Sequence, residues 1–262
     1  MSTKTLSTRS KVLLVCLAVA LLVTAALVVR YRDVVFHDRG DIDSAGNQSA
    51  ISILFIGNSM VFYGNVPGQL QAIAQENGVA ITYKDISQNG ASLSEQRDNA
   101  IREIKARNYD YVVLQDHAAR PFNDVEGFLY DIQLLCEEAR ASGAIPVLYD
   151  PPWASVDGHP DEERLSVSTA LYQQAAAEND AILVRAADAW VYAYQELPGI
   201  SLYKRFDFHA NEAGAYLTAC VFAATLFEIQ VQSVPAQKCY RGSDALNLAQ
   251  AAWESTQLQL EH

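Results

Sequence analysis

Five short apolar runs, separated by stretches with helical periodicity, are the feature that most constrains how this chain can fold. The first run, residues 51–56, is apolar except for one serine, as expected for a strand buried on both faces of a sheet. The others are residues 111–114, 145–149 and 181–184, together with residues 79–86, which have a strand-like pattern but also contain Lys84 and Asp85. Strands that alternate with helices form βαβ units with right-handed crossovers. The pattern therefore predicts an α/β fold: a three-layer α/β/α sandwich around a five-stranded parallel sheet.

Apolar residues recur at helical spacing between these runs. One helix is expected to open at Pro67, because proline is favoured in the first turn. The other predicted helices are residues 93–106, 128–141, 162–178 and 211–227. These elements predict one domain over residues 51–235. Residues 236–262 are expected to form a peripheral tail with a short helix near 245–256.

The N-terminal region has a different pattern from the domain. Residues 12–29 are eighteen residues without a charge, which is just long enough to span a bilayer as a helix, and three basic residues precede them. We therefore expect a cytoplasmic tail at 1–11, an uncleaved membrane anchor at 12–29 and a polar linker at 30–50. The folded domain would then lie on the periplasmic or extracellular side. A signal peptide cleaved after Ala25 is the alternative.

The net charge and the cysteine pattern argue against two classes of partner, nucleic acids and metal ions. The formal net charge is −12, whereas nucleic-acid binding requires clustered lysine and arginine, so no nucleic-acid partner is expected. The four cysteines form no CxxC motif and no Cys/His cluster with zinc spacing, so no metal site is expected. Cys136 and Cys220 are interpreted as core residues. A disulfide between Cys220 and Cys239 stays an alternative outside the cytosol.

Polar residues follow several predicted strands, at the sheet edge where parallel α/β sheets bind ligands. Ser59 follows the first strand in Gly57-Asn58-Ser59 and could present its hydroxyl there, with its N–H at a helix start beside an oxyanion. Gly90 follows the second strand and permits close approach of a backbone N–H to a ligand. After the third strand come Gln115, a potential amide donor, and His117, a potential base. Each feature alone also fits an ordinary loop or cap.

A further histidine, His209, lies just before the last predicted helix. From that position an imidazole can reach back over the sheet edge as a base. A lone histidine before a helix is more often structural, but Ser59 lies at the same predicted edge, and a nucleophile and its base must meet in space.

Together these segments resemble the SGNH (GDSL-type) hydrolase superfamily. The stretches ILFIGNSMVFYGNVPGQLQAIA, YVVLQ and HANEAGAYL are especially similar to a bacterial branch with a Gly-Asn-Ser motif, and the similarity covers about residues 51–228. The resemblance implies a flavodoxin-like SGNH fold. It also implies that Ser59 is the nucleophile, that His209 is its base, and that the N–H groups of Ser59 and Gly90 are oxyanion donors.

The sequence departs from the SGNH pattern at two places. The Gly-x-Asn expected after the third strand is missing, and Gln115 is the candidate for the side-chain oxyanion donor. Phe206 stands where an aspartate is expected three residues before His209. Asp207, two residues before His209, is the nearby acid and the candidate for the third catalytic residue. Orientation of His209 by a backbone carbonyl or by water is the other possibility, and the sequence leaves both open.

The resemblance implies a serine esterase that forms a covalent acyl-enzyme and needs no cofactor or metal. The expected substrate is a small acyl ester, for which an O-acetyl group on a carbohydrate at the cell surface is one candidate. Two alternatives remain: a catalytically impaired protein that serves in surface carbohydrate binding or assembly, and an O-acyltransferase with the same serine chemistry.

Overall fold

The computed structural model of the protein describes residues 50–260. The predicted cytoplasmic tail, membrane anchor and almost all of the linker lie outside these residues. Among residues 50–260, no helix has the length and apolar character needed to cross a membrane.

The central sheet has five parallel strands, as predicted. They are β1 (Ile51–Ile56), β2 (Ile81–Asp85), β3 (Tyr111–Leu114), β4 (Ile145–Asp150) and β7 (Ile182–Arg185). Their order in the sheet is β2-β1-β3-β4-β7. A separate antiparallel hairpin pairs β5 (Ser155–Val156) with β6 (His159–Pro160). The chain reverses its direction of winding between β1 and β3, so the crevice at their carboxyl ends is the expected ligand site.

Helices cover both faces of the sheet. The helices before the third strand are α1 (Ser59–Phe62), α2 (Val66–Glu76) and α3 (Leu93–Ala106). Those between the third strand and the last are α4 (Arg120–Asn123), α5 (Val125–Ala141) and α6 (Glu162–Glu178). The last three are α7 (Ala186–Glu196), α8 (Glu212–Phe227) and α9 (Ala245–Leu260). A single 3-10 turn, Tyr63–Asn65, joins α1 to α2.

The two faces of the sheet have separate cores. Along β1, Ile53 and Phe55 pack on one side with α2, α7, α8 and α9, whereas Leu54 and Ile56 pack on the other with α3, α5 and α6. All four side chains are essentially inaccessible to solvent. This alternation follows from the period of two in a strand, and it explains why the run reads as apolar on both faces.

The C-terminal region differs from its expected position. Helix α9 is longer than predicted and packs against α8 and α7, with Leu248, Ala249 and Ala252 buried in the core of that face. The predicted domain boundary at residue 235 therefore excludes a helix that belongs to the same core. Its alanines gave only a weak apolar stripe in the sequence, although alanine buries well in close helix contacts.

The three cysteines among the described residues are free thiols. Cys136 and Cys220 are buried, as expected from the sequence, and Cys239 is partly buried. The alternative of a disulfide between Cys220 and Cys239 is therefore not the state seen in the structure.

Candidate active site

Ser59 lies just beyond the carboxyl end of β1, as the first residue of α1. The side-chain oxygen of Asn58 accepts a hydrogen bond from the N–H of Met60 at 3.1 Å, and its Nδ2 donates to the carbonyl of Ala91 at 3.2 Å. Asn58 thus caps the helix and ties it to the loop after β2. The N–H of Ser59 belongs to the first turn and has no intrahelical acceptor, so it is available to an oxyanion.

Gln115 does not lie where an oxyanion donor is needed. Its Oε1 accepts the N–H of Asn58 at 2.9 Å, its Nε2 donates to the carbonyl of Asp116, and the side chain is completely buried. A Cβ at Gly57 would lie 2.7 Å from that Oε1, so only glycine lets the two segments approach this closely. Both ends of its amide hold backbone groups, and Gln115 is not among the residues of the cavity wall that contains Ser59, so the structure gives no support to the prediction that Gln115 donates to an oxyanion.

His209 is held by a tight loop between α7 and α8. An isolated antiparallel bridge pairs Tyr203 with Ala210, and the N–H of Lys204 donates to the carbonyl of His209 at 2.8 Å. Phe206 at the tip of this loop has a φ of 61° and is 94% exposed. Its left-handed conformation turns the chain back, so that Asp207 folds towards the imidazole that follows it.

Three residues predicted to act together form a continuous hydrogen-bonded chain. Nε2 of His209 lies 2.8 Å from Oγ of Ser59, and Nδ1 lies 2.7 Å from Oδ1 of Asp207. The same Oδ1 also accepts the backbone N–H of His209 at 3.2 Å. The carboxylate thus fixes the proton on Nδ1, which leaves the Nε2 lone pair directed at the serine hydroxyl.

The electrostatics of Asp207 agree with a carboxylate that is ionised at neutral pH. Partial burial acts to raise the pKa of Asp207, but the hydrogen bonds from the His209 ring and backbone outweigh burial and lower it. The local loop rearrangement therefore compensates for the phenylalanine at the position where the SGNH pattern has its acid.

Gly90 lies in the same cavity wall as Ser59 and His209, at a φ of 69°. A positive φ of this size is left-handed backbone, which glycine adopts without a steric penalty. Among the described residues, no group accepts a hydrogen bond from its N–H. The structure therefore brings Gly90 to the site, and its predicted role as an oxyanion donor remains open to test.

The cavity above the serine has a volume of about 670 Å³. Besides the predicted residues, its wall contains apolar and aromatic side chains, from the neighbours of Ser59 and His209 and from two other segments. The principal ones are Met60, Phe122, Trp153, Ala154 and Phe208. The rings of Phe122 and Trp153 contact each other edge-on with their centroids 5.4 Å apart. The cavity is thus much larger than an acetyl group and largely apolar.

Sequence reasoning missed most of this wall. Phe122 lies in the short helix α4 after β3, and Trp153 lies in the loop after β4. Neither segment carried a catalytic pattern, although a place after a strand end was a usable indication. Among residues 50–260, no group of three or more histidine, cysteine, aspartate or glutamate side chains is arranged to hold a metal ion.

Comparison with known proteins relates the fold to one superfamily. No protein-family model and no curated protein sequence matches the chain. Among solved structures, a protein described as "a putative SGNH hydrolase" from Slackia heliotrinireducens is 26% identical, covers 68% of this chain and 100% of its own, and has a TM-score of 0.57.

Two further solved structures share the fold at lower identity. A DUF4886 family protein from Bacteroides uniformis is 15% identical over 80% of this chain and 96% of its own, with a TM-score of 0.66. Axe2, an acetyl xylan esterase from Geobacillus stearothermophilus, is 18% identical over 71% of this chain and 98% of its own, with a TM-score of 0.56. The chain thus has the fold of the SGNH hydrolases, and its 26% identity to one of them agrees with the resemblance of its motifs to that superfamily.

Proposed function

We propose that the domain hydrolyses acyl esters through a covalent acyl-enzyme on Ser59. The observation that carries this proposal is the unbroken chain of hydrogen bonds from Ser59 through His209 to Asp207, at 2.8 and 2.7 Å. A serine hydroxyl is a weak nucleophile until an adjacent base removes its proton, and the geometry supplies that base with a carboxylate behind it.

In the acylation step, Oγ of Ser59 attacks the ester carbonyl carbon while its proton passes to Nε2 of His209. Asp207 stabilises the resulting imidazolium, and the N–H groups of Ser59 and Gly90 stabilise the oxyanion. The tetrahedral intermediate then collapses, and His209 returns the proton to the departing alkoxide. In deacylation, His209 takes a proton from water as the water oxygen attacks the acyl carbon. The second tetrahedral intermediate then collapses, and His209 returns the proton to Oγ of Ser59 as the carboxylic acid leaves.

For the substrate, we propose a small acyl ester on a carbohydrate, with an O-acetyl group as the leading candidate. A cavity of about 670 Å³ leaves room for a sugar beyond the acyl group. The Phe122 and Trp153 rings offer apolar faces against which a sugar ring could pack. Axe2, which shares the fold, is an acetyl xylan esterase, and this supports the same class of ester here.

For the location, we propose that the domain is anchored to a membrane and works on its non-cytoplasmic side. The support is the sequence alone: the uncharged run at residues 12–29 and the basic residues before it. An anchored surface enzyme would meet acylated cell-surface carbohydrate, which agrees with the proposed substrate.

One of the two observations that favoured a catalytically impaired binding protein no longer does so. That alternative rested on the missing Asn and on the displaced acid, and Asp207 now lies against His209. An O-acyltransferase would use the same acyl-enzyme with a sugar hydroxyl in place of water, so analysis of products formed with a sugar acceptor present separates it from a hydrolase.

The test compares the wild-type domain with Ser59→Ala and Ser155→Ala on short aryl esters and acetylated xylo-oligosaccharides. Ser155 is a second serine in the same cavity wall, so it controls for the loss of a hydroxyl. Ser59→Ala should lose several orders of magnitude in kcat/KM, whereas Ser155→Ala should retain most activity. A fluorophosphonate should label Ser59. Unchanged turnover in Ser59→Ala would refute the proposed function.

A further inference from the structure

A second histidine, His117, lies in the same cavity wall as Ser59, Gly90 and His209. It follows β3, the strand that neighbours β1, so its place at the sheet edge is fixed by the parallel pairing of the two strands. Nothing in the chain of hydrogen bonds from Ser59 to Asp207 uses it. Which of its ring nitrogens carries the proton decides whether His117 can act as a base or as a hydrogen-bond donor.

The loop that carries His117 is anchored on both sides of the ring. Its backbone N–H donates to Oδ1 of Asp116 at 2.7 Å, and the same carboxylate oxygen accepts the N–H of Leu93 at 2.8 Å. On the ring, Nδ1 accepts the N–H of Ala119 at 3.2 Å. The imidazole is thus oriented by its own backbone rather than by a neighbouring side chain.

The bond from Ala119 fixes the tautomer. A backbone N–H can only donate, so Nδ1 must carry a lone pair, and the neutral ring must carry its proton on Nε2. Among residues 50–260, no group forms a hydrogen bond with this Nε2, and it is not one of the buried polar atoms that lack a partner. His117, a residue of the cavity wall that contains Ser59, thus has an N–H donor with no partner among the described residues.

The two histidines of the site have opposite tautomers. A carboxylate at Nδ1 of His209 makes its Nε2 an acceptor, which suits a base. A backbone donor at Nδ1 of His117 makes its Nε2 a donor, so His117 is unsuited to be the base unless it breaks its bond to Ala119. A neutral imidazole with this polarity can stabilise negative charge on a substrate oxygen.

We propose that His117 is a catalytic residue that donates the side-chain hydrogen bond to the oxyanion, in the place that Gln115 cannot fill. This inference rests on the proposed function. During attack by Ser59 the carbonyl oxygen becomes negative, and Nε2–H of His117 joins the two backbone donors in stabilising it. No proton is transferred from His117, and its bond to Ala119 keeps the donor oriented throughout.

The kinetic test uses two replacements of similar length with different donors. In His117→Gln, Nε2 of the new amide can replace the ring N–H, whereas His117→Met fills the space with no donor. For His117→Met we expect kcat to fall by about 10²-fold to 10³-fold with little change in KM, as for loss of one oxyanion donor. His117→Gln should recover at least about tenfold of that loss. Equal kcat in His117→Met and wild type would overturn the inference.

A spectroscopic test does not depend on the variants folding. In wild-type protein with ¹⁵N-labelled histidine, NMR should find the proton of His117 on Nε2. After a fluorophosphonate has formed its adduct with Ser59, the Nε2 proton should shift strongly downfield, because the phosphonyl oxygen occupies the place of the oxyanion. A proton on Nδ1, or no shift on adduct formation, contradicts the inference.

The two proposals fail in different ways. If Ser59→Ala keeps its turnover, the proposed function is wrong, whatever His117 does. If turnover requires Ser59 while the His117 variants match wild type, hydrolysis by Ser59 stands and only the role of His117 is refuted.

Discussion

Replacement of Asp207 by asparagine isolates the electrostatic part of the proposed mechanism. One carboxylate oxygen, Oδ1, accepts both Nδ1–H and the backbone N–H of His209, at 2.7 and 3.2 Å. In Asp207→Asn the amide oxygen should take this position, because both neighbours are donors and would repel the amide NH₂. The variant should therefore keep the tautomer of His209 and lose only the negative charge beside the imidazolium.

The expected loss of kcat/KM in Asp207→Asn depends on how strongly water screens the charge of Asp207. Loss of the acid from a buried triad, with the wrong tautomer, lowers the rate by about 10⁴-fold. The side chain of Asp207 is 36% exposed and that of His209 is 15% exposed. Attraction between unit charges about 4 Å apart is roughly 1 kcal/mol in water and about 4 kcal/mol near a protein surface. An interaction free energy between these limits corresponds to a loss of about 10²-fold in kcat/KM.

The assay is kcat/KM on one aryl ester for wild type, Asp207→Asn and His209→Ala. Glu212→Gln serves as the matched control, because it removes an exposed negative charge three residues after His209 without touching the imidazole. Glu212→Gln should stay within about twofold of wild type, as expected for a screened surface charge. A loss below threefold in Asp207→Asn would show that the carboxylate does not support catalysis. A loss as large as that of His209→Ala would show that the tautomer is not preserved.

Three further predictions concern stability and location. A Cβ at Gly214 would collide with the carbonyl of Leu202 and the ring of Trp190. In urea titrations, Gly214→Ala should therefore lower the free energy of unfolding by about 1–3 kcal/mol. An unchanged free energy of unfolding would mean that this end of the helix can shift freely. Burial raises the pKa of Asp150 to about 8 from an ordinary 3.8. Between these two pH values, the Asp150 carboxyl is protonated in the folded state and ionised in the unfolded state. Wild-type stability should then fall relative to that of Asp150→Asn as pH rises through this window, by up to about 1.4 kcal/mol per pH unit, and parallel pH profiles of the two proteins would contradict this. Full-length protein should stay in the membrane fraction after carbonate washing; a soluble mature form that starts near Ala26 would identify residues 12–29 as a cleaved signal peptide.

Much of the fold could be predicted from the sequence, because its strongest patterns are local. A strand buried on both faces must be almost continuously apolar, and β1 is apolar except for Ser52, so its position and the parallel sheet followed from residues 51–56 and the similar stretches after it. The site could be located for a related reason. Parallel strands bring their carboxyl ends to one edge, and Ser59, Gly90 and His117 each follow such an end.

What the sequence by itself determined, then, was the sheet and the residues at its edge, since both follow from periodicity and chain order. Only the tertiary structure decided which hydrogen bonds those residues form. The left-handed turn at Phe206 brings Asp207 to the ring of His209, and the close approach at Gly57 commits Gln115 to a backbone N–H. The first contact joins residues two apart, through a backbone turn that the sequence pattern did not indicate, and the second joins segments 57 residues apart. Both depend on differences of a few tenths of an ångström in distance, to which hydrogen bonds are sensitive and sequence patterns are not.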